Sequence, residues 1–196
     1  MFLSDPPHDD AVRALADEAL SEEGYVPNFV RLWSWRPDVR RAFDAARSLL
    51  ATRTDLTDRE VAILNSTTAS QLGDAYCSIA WGSKLASLTS PATAASVLRR
   101  ADSPELNGRE RALMAWASAI VADPNATTRD DVQVLKGAGL SEREIFDATL
   151  LVAFRLAFGT VNGALGAAPD KKLVEQAPPD IRTSVTYGRA EDDARV

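Results

Sequence analysis

Three times in this chain a short polar side chain stands three residues before a glutamate: Thr57-Asp58-Arg59-Glu60, Asn107-Gly108-Arg109-Glu110 and Ser141-Glu142-Arg143-Glu144. In such a box the first side chain accepts the backbone N–H three residues on, and the glutamate reaches back to the first residue's N–H. Each box therefore starts a helix. Val61, Leu64, Thr68 and Leu72 follow the first box, and Leu113, Trp116, Ala117 and Ile120 the second, in steps of three and four. Val39, Phe43, Ala46 and Leu50 share a face after Pro37. Ser90-Pro91 adds a start with proline at the first helical position, and Thr128 with Asp131 a weaker one. Gly73, Gly139 and Gly166 stand where a left-handed residue closes a helix. No stretch alternates apolar and polar residues between turn pairs, so no sheet is expected. The chain is predicted to be all-α.

A leucine precedes each box, giving the phrase Leu-cap-x-Arg-Glu at Leu56, Leu106 and Leu140, the first two 50 residues apart. An internal duplication accounts for this, and so do three independent uses of the same capping chemistry.

Apolar residues make up 45 % of the 196, enough to bury one sizeable core. The net charge is −6 with no Lys/Arg block, which argues against nucleic acid as a partner. The most apolar segment, 148–168, is interrupted by Arg155 and Asn162 and reads as a buried helix rather than a membrane span. The opening MFLSDPPHDD has neither a basic n-region nor an apolar h-region, so no signal peptide is expected. Cys77 is the single cysteine, which excludes an internal disulfide and makes a reducing, cytoplasmic location the default. His8, the single histidine, lies in a Pro/Asp-rich leader, which argues against a zinc site and a histidine triad. Neither metal nor cofactor is expected. Residues 1–8 and about 184–196 are polar and are expected to be mobile.

The segment carrying candidate chemistry is Gly73 to Ala86. Cys77, Ala80, Trp81, Lys84, Leu85 and Leu88 share a helical face, and Asp74 after Gly73 is a plausible N-cap. Cys77 then sits in the first turn, where the helix dipoles favour the thiolate. Asp74, as a nearby anion, and burial against Trp81 both oppose it. Whether Cys77 is a nucleophile or a small buried apolar residue stays open on these residues alone. Arg155 is expected to pair with Asp147 or a core carbonyl, or to bind an anion, the ion pair being the commoner case.

The chain resembles the alkylhydroperoxidase AhpD-like, carboxymuconolactone decarboxylase superfamily, and within it the uncharacterised peroxidase-related group. The resemblance spans about residues 24–170, leaving 1–23 as a leader with a first helix and 171–196 as a tail. It is carried by Gly24-Tyr25-Val26-Pro27-Asn28-Phe29, Arg36-Pro37-Asp38-Val39, the stretch Leu106 to Ile120, the turn Leu135 to Ser141 and the ending Asn162-Gly163-Ala164-Leu165-Gly166, in that order and spacing. It implies an AhpD-like helical bundle and a homo-oligomer, a trimer or hexamer. Trp33 and Trp35 near the opening would then divide between core and interface.

Redox members of that superfamily carry a Glu on one helix, a Cys-x-x-Cys pair opening the next, and a His four residues after the second Cys. Here the second Cys position matches Cys77. The first falls on Asp74, the His on Trp81 and the Glu on Ala62, with Glu60 nearby but inside a capping box. The resemblance thus implies a degenerate, one-cysteine thiol peroxidase of peroxiredoxin type. Cys77 would be oxidised by a hydroperoxide and reset by an external thiol, with Asp74 as proton acceptor and Tyr76 or Ser78 hydrogen-bonding the peroxide. Two alternatives stand beside it. One is a cofactor-free lyase or decarboxylase acting on a small organic acid through Asp74 in a pocket lined by Trp81, against which no Arg or His for a carboxylate can be placed nearby. The other is a non-catalytic binding or scaffold descendant.

Overall fold

The computed structural model describes residues 1–192. Within them the chain forms eleven helices: α1 Asp10–Glu23, α2 Asn28–Trp33, α3 Pro37–Arg53, α4 Asp58–Leu72, α5 Ala75–Leu88, α6 Pro91–Leu98, α7 Gly108–Ala122, α8 Arg129–Gly137, α9 Glu142–Ala164, α10 Lys171–Gln176 and α11 Pro179–Ser184. Among the described residues the one β-type pairing is an isolated bridge between Asp170 and Asp192. Among the described residues no helix is long and apolar enough to cross a membrane.

The boxes read from sequence all close. Thr57–Glu60, Asn107–Glu110, Ser141–Glu144 and Thr128–Asp131 each make both hydrogen bonds of the motif, and Ser90 caps α6 through the Thr93 N–H. The arginines between cap and glutamate do further work at long range. Arg59 at the start of α4 pairs with Glu110 of α7, and Arg109 at the start of α7 pairs with Glu60 of α4. The exchange is reciprocal and fixes the two helix starts side by side. Arg109 also pairs with Glu144, tying in α9, whereas Arg143 donates to the Arg53 carbonyl.

Helix α4 is the central element, packed against α5, α6, α7 and α9. Its residues 62–70 are buried on every side; Asn65, Thr68 and Ser70 bond back to the helix's own carbonyls, while the Ser66 and Thr67 hydroxyls have no partner among the described residues. One core lies between α4, α7, α8 and α9, centred on Leu64, Leu113, Ala148 and Val152. A second lies between α4, α5, α6 and α11, centred on Ile63, Leu85, Leu98 and Ile181. Helix α3 is peripheral. Leu50 is its one buried residue, and Val39, expected on the inner face, is 41 % exposed; α3 rests on α1 and α9 and, through Phe43, on Trp33 of α2.

The described residues at either end, Phe2 and Tyr187 to Asp192, are docked on the bundle, against the expectation from their polarity. The Phe2 N–H donates to the Leu165 carbonyl, and the Phe2 ring lies against Gly166 and under the Arg189 guanidinium. Tyr187 donates to the Ser78 hydroxyl on α5, and the Asp192 N–H donates to the Pro169 carbonyl. The last part of the tail expectation, residues 193–196, lies outside the described residues.

Candidate functional site

The site is built on the corner between α4 and α5. Gly73 takes the left-handed conformation that ends α4, with φ 75°, and the chain reverses at once into α5. Asp74 caps α5, its Oδ1 accepting the Cys77 N–H at 3.0 Å. Helix α9 runs close past this corner. A Cβ on Gly159 would lie 2.8 Å from Asp74 Oδ2, so glycine there permits the approach.

Cys77 lies in the first turn of α5, as expected, and is 2 % exposed. Around it stand Ala69, Phe158 and the partly buried Phe29, Trp33, Phe43 and Trp81. Trp33 packs on both Phe43 and Phe158, at 5.4 and 5.3 Å, those two rings lying 6.2 Å apart, and donates its indole N–H to Asn162 at 2.9 Å. Trp35 is 40 % exposed, so the two tryptophans do divide between inside and outside.

The residue that sequence reasoning misjudged is Arg155. It is 4 % exposed and does not pair with Asp147. Eight residues separate them on one helix, about 12 Å along its axis, too far for an ion pair. Instead Arg155 Nη1 lies 3.2 Å from Cys77 Sγ, and Nε donates to Asn65 Oδ1 at 2.9 Å. The Asn65 amide is oriented by its own bond to the Val61 carbonyl. The guanidinium sits over the Trp81 ring at 5.1 Å and the Phe158 ring at 5.4 Å. Its signal was a lone arginine in an apolar helix. Asn65, 90 residues earlier, gave none.

Three of the candidate residues do not join this site. Glu60 is held by its capping box and by Arg109. The Tyr76 hydroxyl spends its proton on buried Asp170, and the fully buried Ser78 hydroxyl faces Tyr187, from which it accepts. Asp170 also accepts the Asn28 N–H at 2.9 Å, and Asn28 donates to the Ala168 carbonyl. The Gly24–Phe29 opening is thereby pinned to the start of α5 and the end of the bundle. Ala62, where a glutamate was the expectation of the resemblance, is fully buried packing.

Electrostatically the site holds more cations than anions. Arg40, Arg47 and Arg155 all lie over the Phe158 ring, and Asp44 pairs with both Arg40 and Arg47. Arg155 has no carboxylate in ion-pair range among the described residues. Burial pushes the Cys77 thiol up to about 12; Arg155 pulls it down and Asp74 pushes it up. Arg47 is lowered to about 10 by burial and the like charge of Arg155, against the pull of Asp44, and stays charged at neutral pH.

Two clefts are lined by neighbours of Cys77, although the thiol itself lines neither. One, of about 230 Å³, is lined by Arg47, Asn65, Trp81, Phe154, Arg155 and Asp44. The other, of about 370 Å³, is lined by Asp74, Tyr76, Gly163 and the tail residues Gly188 and Arg189. Trp81 and Asp74 therefore face different clefts. Two arginines do stand beside Cys77, correcting the expectation that no carboxylate-binding group can be placed there. Among the described residues no group of three His, Cys, Asp or Glu side chains is placed to hold a metal, and His8 is exposed in the leader.

No protein-family model matches this chain, and no curated protein matches it. Solved structures do. An alkylhydroperoxidase AhpD core, an uncharacterized peroxidase-related protein from Ralstonia eutropha JMP134, is similar at TM-score 0.75 and 24 % identity, over 88 % of this chain and 93 % of that one. An uncharacterized peroxidase-related protein from Silicibacter sp. TM1040 is similar at TM-score 0.77 and 21 % identity, over 88 % and 93 %. The debrominase Bmp8 in complex with 2,3,4-tribromopyrrole is similar at TM-score 0.69 and 16 % identity, over 93 % and 95 %. With its helices in this arrangement, the chain has the fold of the AhpD core and the peroxidase-related proteins.

Proposed function

We propose that this protein is a one-cysteine thiol peroxidase, in which Cys77 reduces a small hydroperoxide and an external thiol resets it. The observation that carries the reading is the Arg155 guanidinium, 3.2 Å from the Cys77 sulfur and without a carboxylate of its own among the described residues. A cation there favours the thiolate, the nucleophilic form, and can take up charge that develops on the departing oxygen.

The steps use few groups. The thiol proton passes to Asp74, whose Oδ2 is buried without a hydrogen-bond partner. The thiolate attacks one peroxide oxygen; the S–O bond forms as the O–O bond breaks. The departing alkoxide takes the proton and leaves as the alcohol, and Cys77 is left as a sulfenic acid. With no second cysteine in the chain, an external thiol condenses with it, releasing water and forming a mixed disulfide. A second thiol liberates the disulfide product and restores Cys77. In sum, one hydroperoxide and two thiols give one alcohol, one disulfide and one water.

Treatment with tert-butyl hydroperoxide in the presence of dimedone tests this. The expected outcome is a dimedone adduct on Cys77 by mass spectrometry, thiol-dependent peroxide turnover in the wild type, and neither in Cys77→Ser. Turnover retained in Cys77→Ser sinks the reading. The high thiol pKa gives a second signature: the oxidation rate should rise about tenfold per pH unit above neutrality, as the thiolate fraction does.

The lyase alternative gains the two arginines of the 230 Å³ cleft as carboxylate binders. Its base, Asp74, lines the other cleft, and the carboxylate of this one, Asp44, is paired with Arg40 and Arg47.

A further inference from the structure

Three cations, Arg40, Arg47 and Arg155, lie near Cys77 against two carboxylates, Asp44 and Asp74, and among the described residues Asp74 is in ion-pair range of none of the three. Arg40 and Arg47 share one carboxylate, Asp44. Arg155, buried at 4 % exposure, has Asn65 and the Cys77 sulfur as its polar partners, and its Nη2 has no hydrogen-bond partner among the described residues. Cys77 does not supply the missing charge, since burial keeps its thiol protonated at neutral pH. Leaving a buried charge unpaired is strongly unfavourable. Two of these arginines, Arg47 and Arg155, line one cleft with Asn65, and Trp81 and Phe154 give that cleft aromatic walls.

We infer that this cleft is a binding site for a small organic carboxylate, held by Arg47 and Arg155 with its apolar body against Trp81 and Phe154. A planar guanidinium matches a carboxylate with two parallel hydrogen bonds, which a neutral amide cannot reproduce. The Trp81 ring carries the Arg155 guanidinium at 5.1 Å, and Phe154, edge-on to Phe43, adds an apolar wall against which a flat apolar body can lie. A volume of about 230 Å³ lies below the usual range for drug-sized ligands, so the molecule is small. For its chemistry the inference rests on the peroxidase reading, and there it names the substrate class: a hydroperoxide that also carries a carboxylate. Because Arg155 spans cleft and sulfur, a ligand anchored on it brings its reactive end next to Cys77.

Calorimetric titration with benzoate, and with benzamide as the neutral isostere, tests the site apart from the reaction. Benzoate is expected to bind wild type and Cys77→Ser alike, at least tenfold tighter than benzamide. Arg47→Gln should weaken it about tenfold, and benzoate should slow the oxidation of Cys77 by tert-butyl hydroperoxide competitively. Arg47 is the variant of choice because it lies at the mouth, with 29 % of its side chain exposed, and its loss leaves the fold in place; circular dichroism verifies that. Benzoate bound no tighter than benzamide overturns the inference, as does inorganic phosphate binding as well as benzoate or an Arg47→Gln affinity equal to wild type. If Cys77→Ser binds benzoate but wild-type Cys77 is never oxidised, the peroxidase reading fails and the site stands. If Cys77 is oxidised but benzoate does not bind, the reverse holds.

Discussion

Two clusters of buried charge sit on the same central helix and are built in opposite ways. At the start of α4, Arg59 and Arg109 face Glu60, Glu110 and Glu144, and every one of them has an opposite partner. At the middle of α4, Asn65 holds Arg155 beside Arg47 and Arg40, with Asp44 the one carboxylate among the described residues in ion-pair contact with any of the three. The titration shifts follow. Glu144 is held down to about 2, first by the Ser141 backbone N–H and then by Arg109, so the paired cluster favours its charged form. Cys77 is pushed up to about 12, so the other cluster favours a neutral one. A network that satisfies itself needs nothing from outside and serves the fold. One that leaves cations unmatched beside a cleft is suited to bind.

The comparison predicts that the two clusters fail differently. Arg109→Gln removes the cation from Glu60 and Glu144, whose side chains are 6 % and 13 % exposed. Uncompensated buried carboxylates of that kind cost about 3 kcal/mol or more. Chemical denaturation should show that loss, while the oxidation rate of Cys77 below the unfolding transition stays at the wild-type value. A stability within about 0.5 kcal/mol of wild type, the usual range for an unimportant surface change, would dissolve the contrast.

Arg155→Gln should do the reverse. It removes a buried charge that has no carboxylate to leave behind, and glutamine can keep the bond to Asn65. Stability is expected to stay within about 1 kcal/mol of wild type, because no partner charge is stranded. Under the peroxidase reading the oxidation rate of Cys77 should fall about 100-fold, corresponding to about 2.7 kcal/mol of lost transition-state stabilisation. Stopped-flow peroxide consumption reads the first quantity and urea unfolding the second. An unchanged rate would reduce Arg155 to packing.

The same contrast decides what the sequence could disclose. Capping boxes are local: the partner of Thr57 is Glu60, and both are visible in one glance at four residues. Hence the helix starts were legible, whereas the arrangement of the helices was given only by the family resemblance. The contents of the Cys77 site are not local. Arg155 reaches Asn65 across 90 residues and Cys77 across 78, and Tyr187 reaches Ser78 across 109. An arginine in an apolar helix announces that something faces it, but its periodicity carries no information about what. The tail was misread for the same reason. Its composition is polar, yet Gly188 fits against Gly73 and Ala75, and Tyr187 places one ring and one hydroxyl on α5. The competing effects on Cys77 were all visible, from dipole to Asp74 to burial. Their order was fixed only once α9 was seen to close over the thiol.

The smallest effect is the one that measures that order directly. Burial raises the Cys77 thiol from its ordinary 9.0 to about 12 in the folded chain. Below pH 9 both folded and unfolded chains keep the proton, and the group's contribution to stability is fully present. Above pH 9 the unfolded chain releases the proton while the folded chain retains it, so stability falls with rising pH until the folded thiol also ionises near 12. The loss should be about 1.4 kcal/mol per pH unit once well above 9. Cys77→Ala has no such proton to lose, and every other titrating group is common to both chains. The wild-type-minus-variant stability, from urea unfolding at intervals between pH 7 and 11, should therefore be flat to about pH 8 and then decline. A difference that stays flat throughout would mean that the thiol is no harder to ionise inside the fold than outside it. Arg155 would then be offsetting the whole of the burial, and the site would hold a ready thiolate at a pH where the present balance gives a thiol.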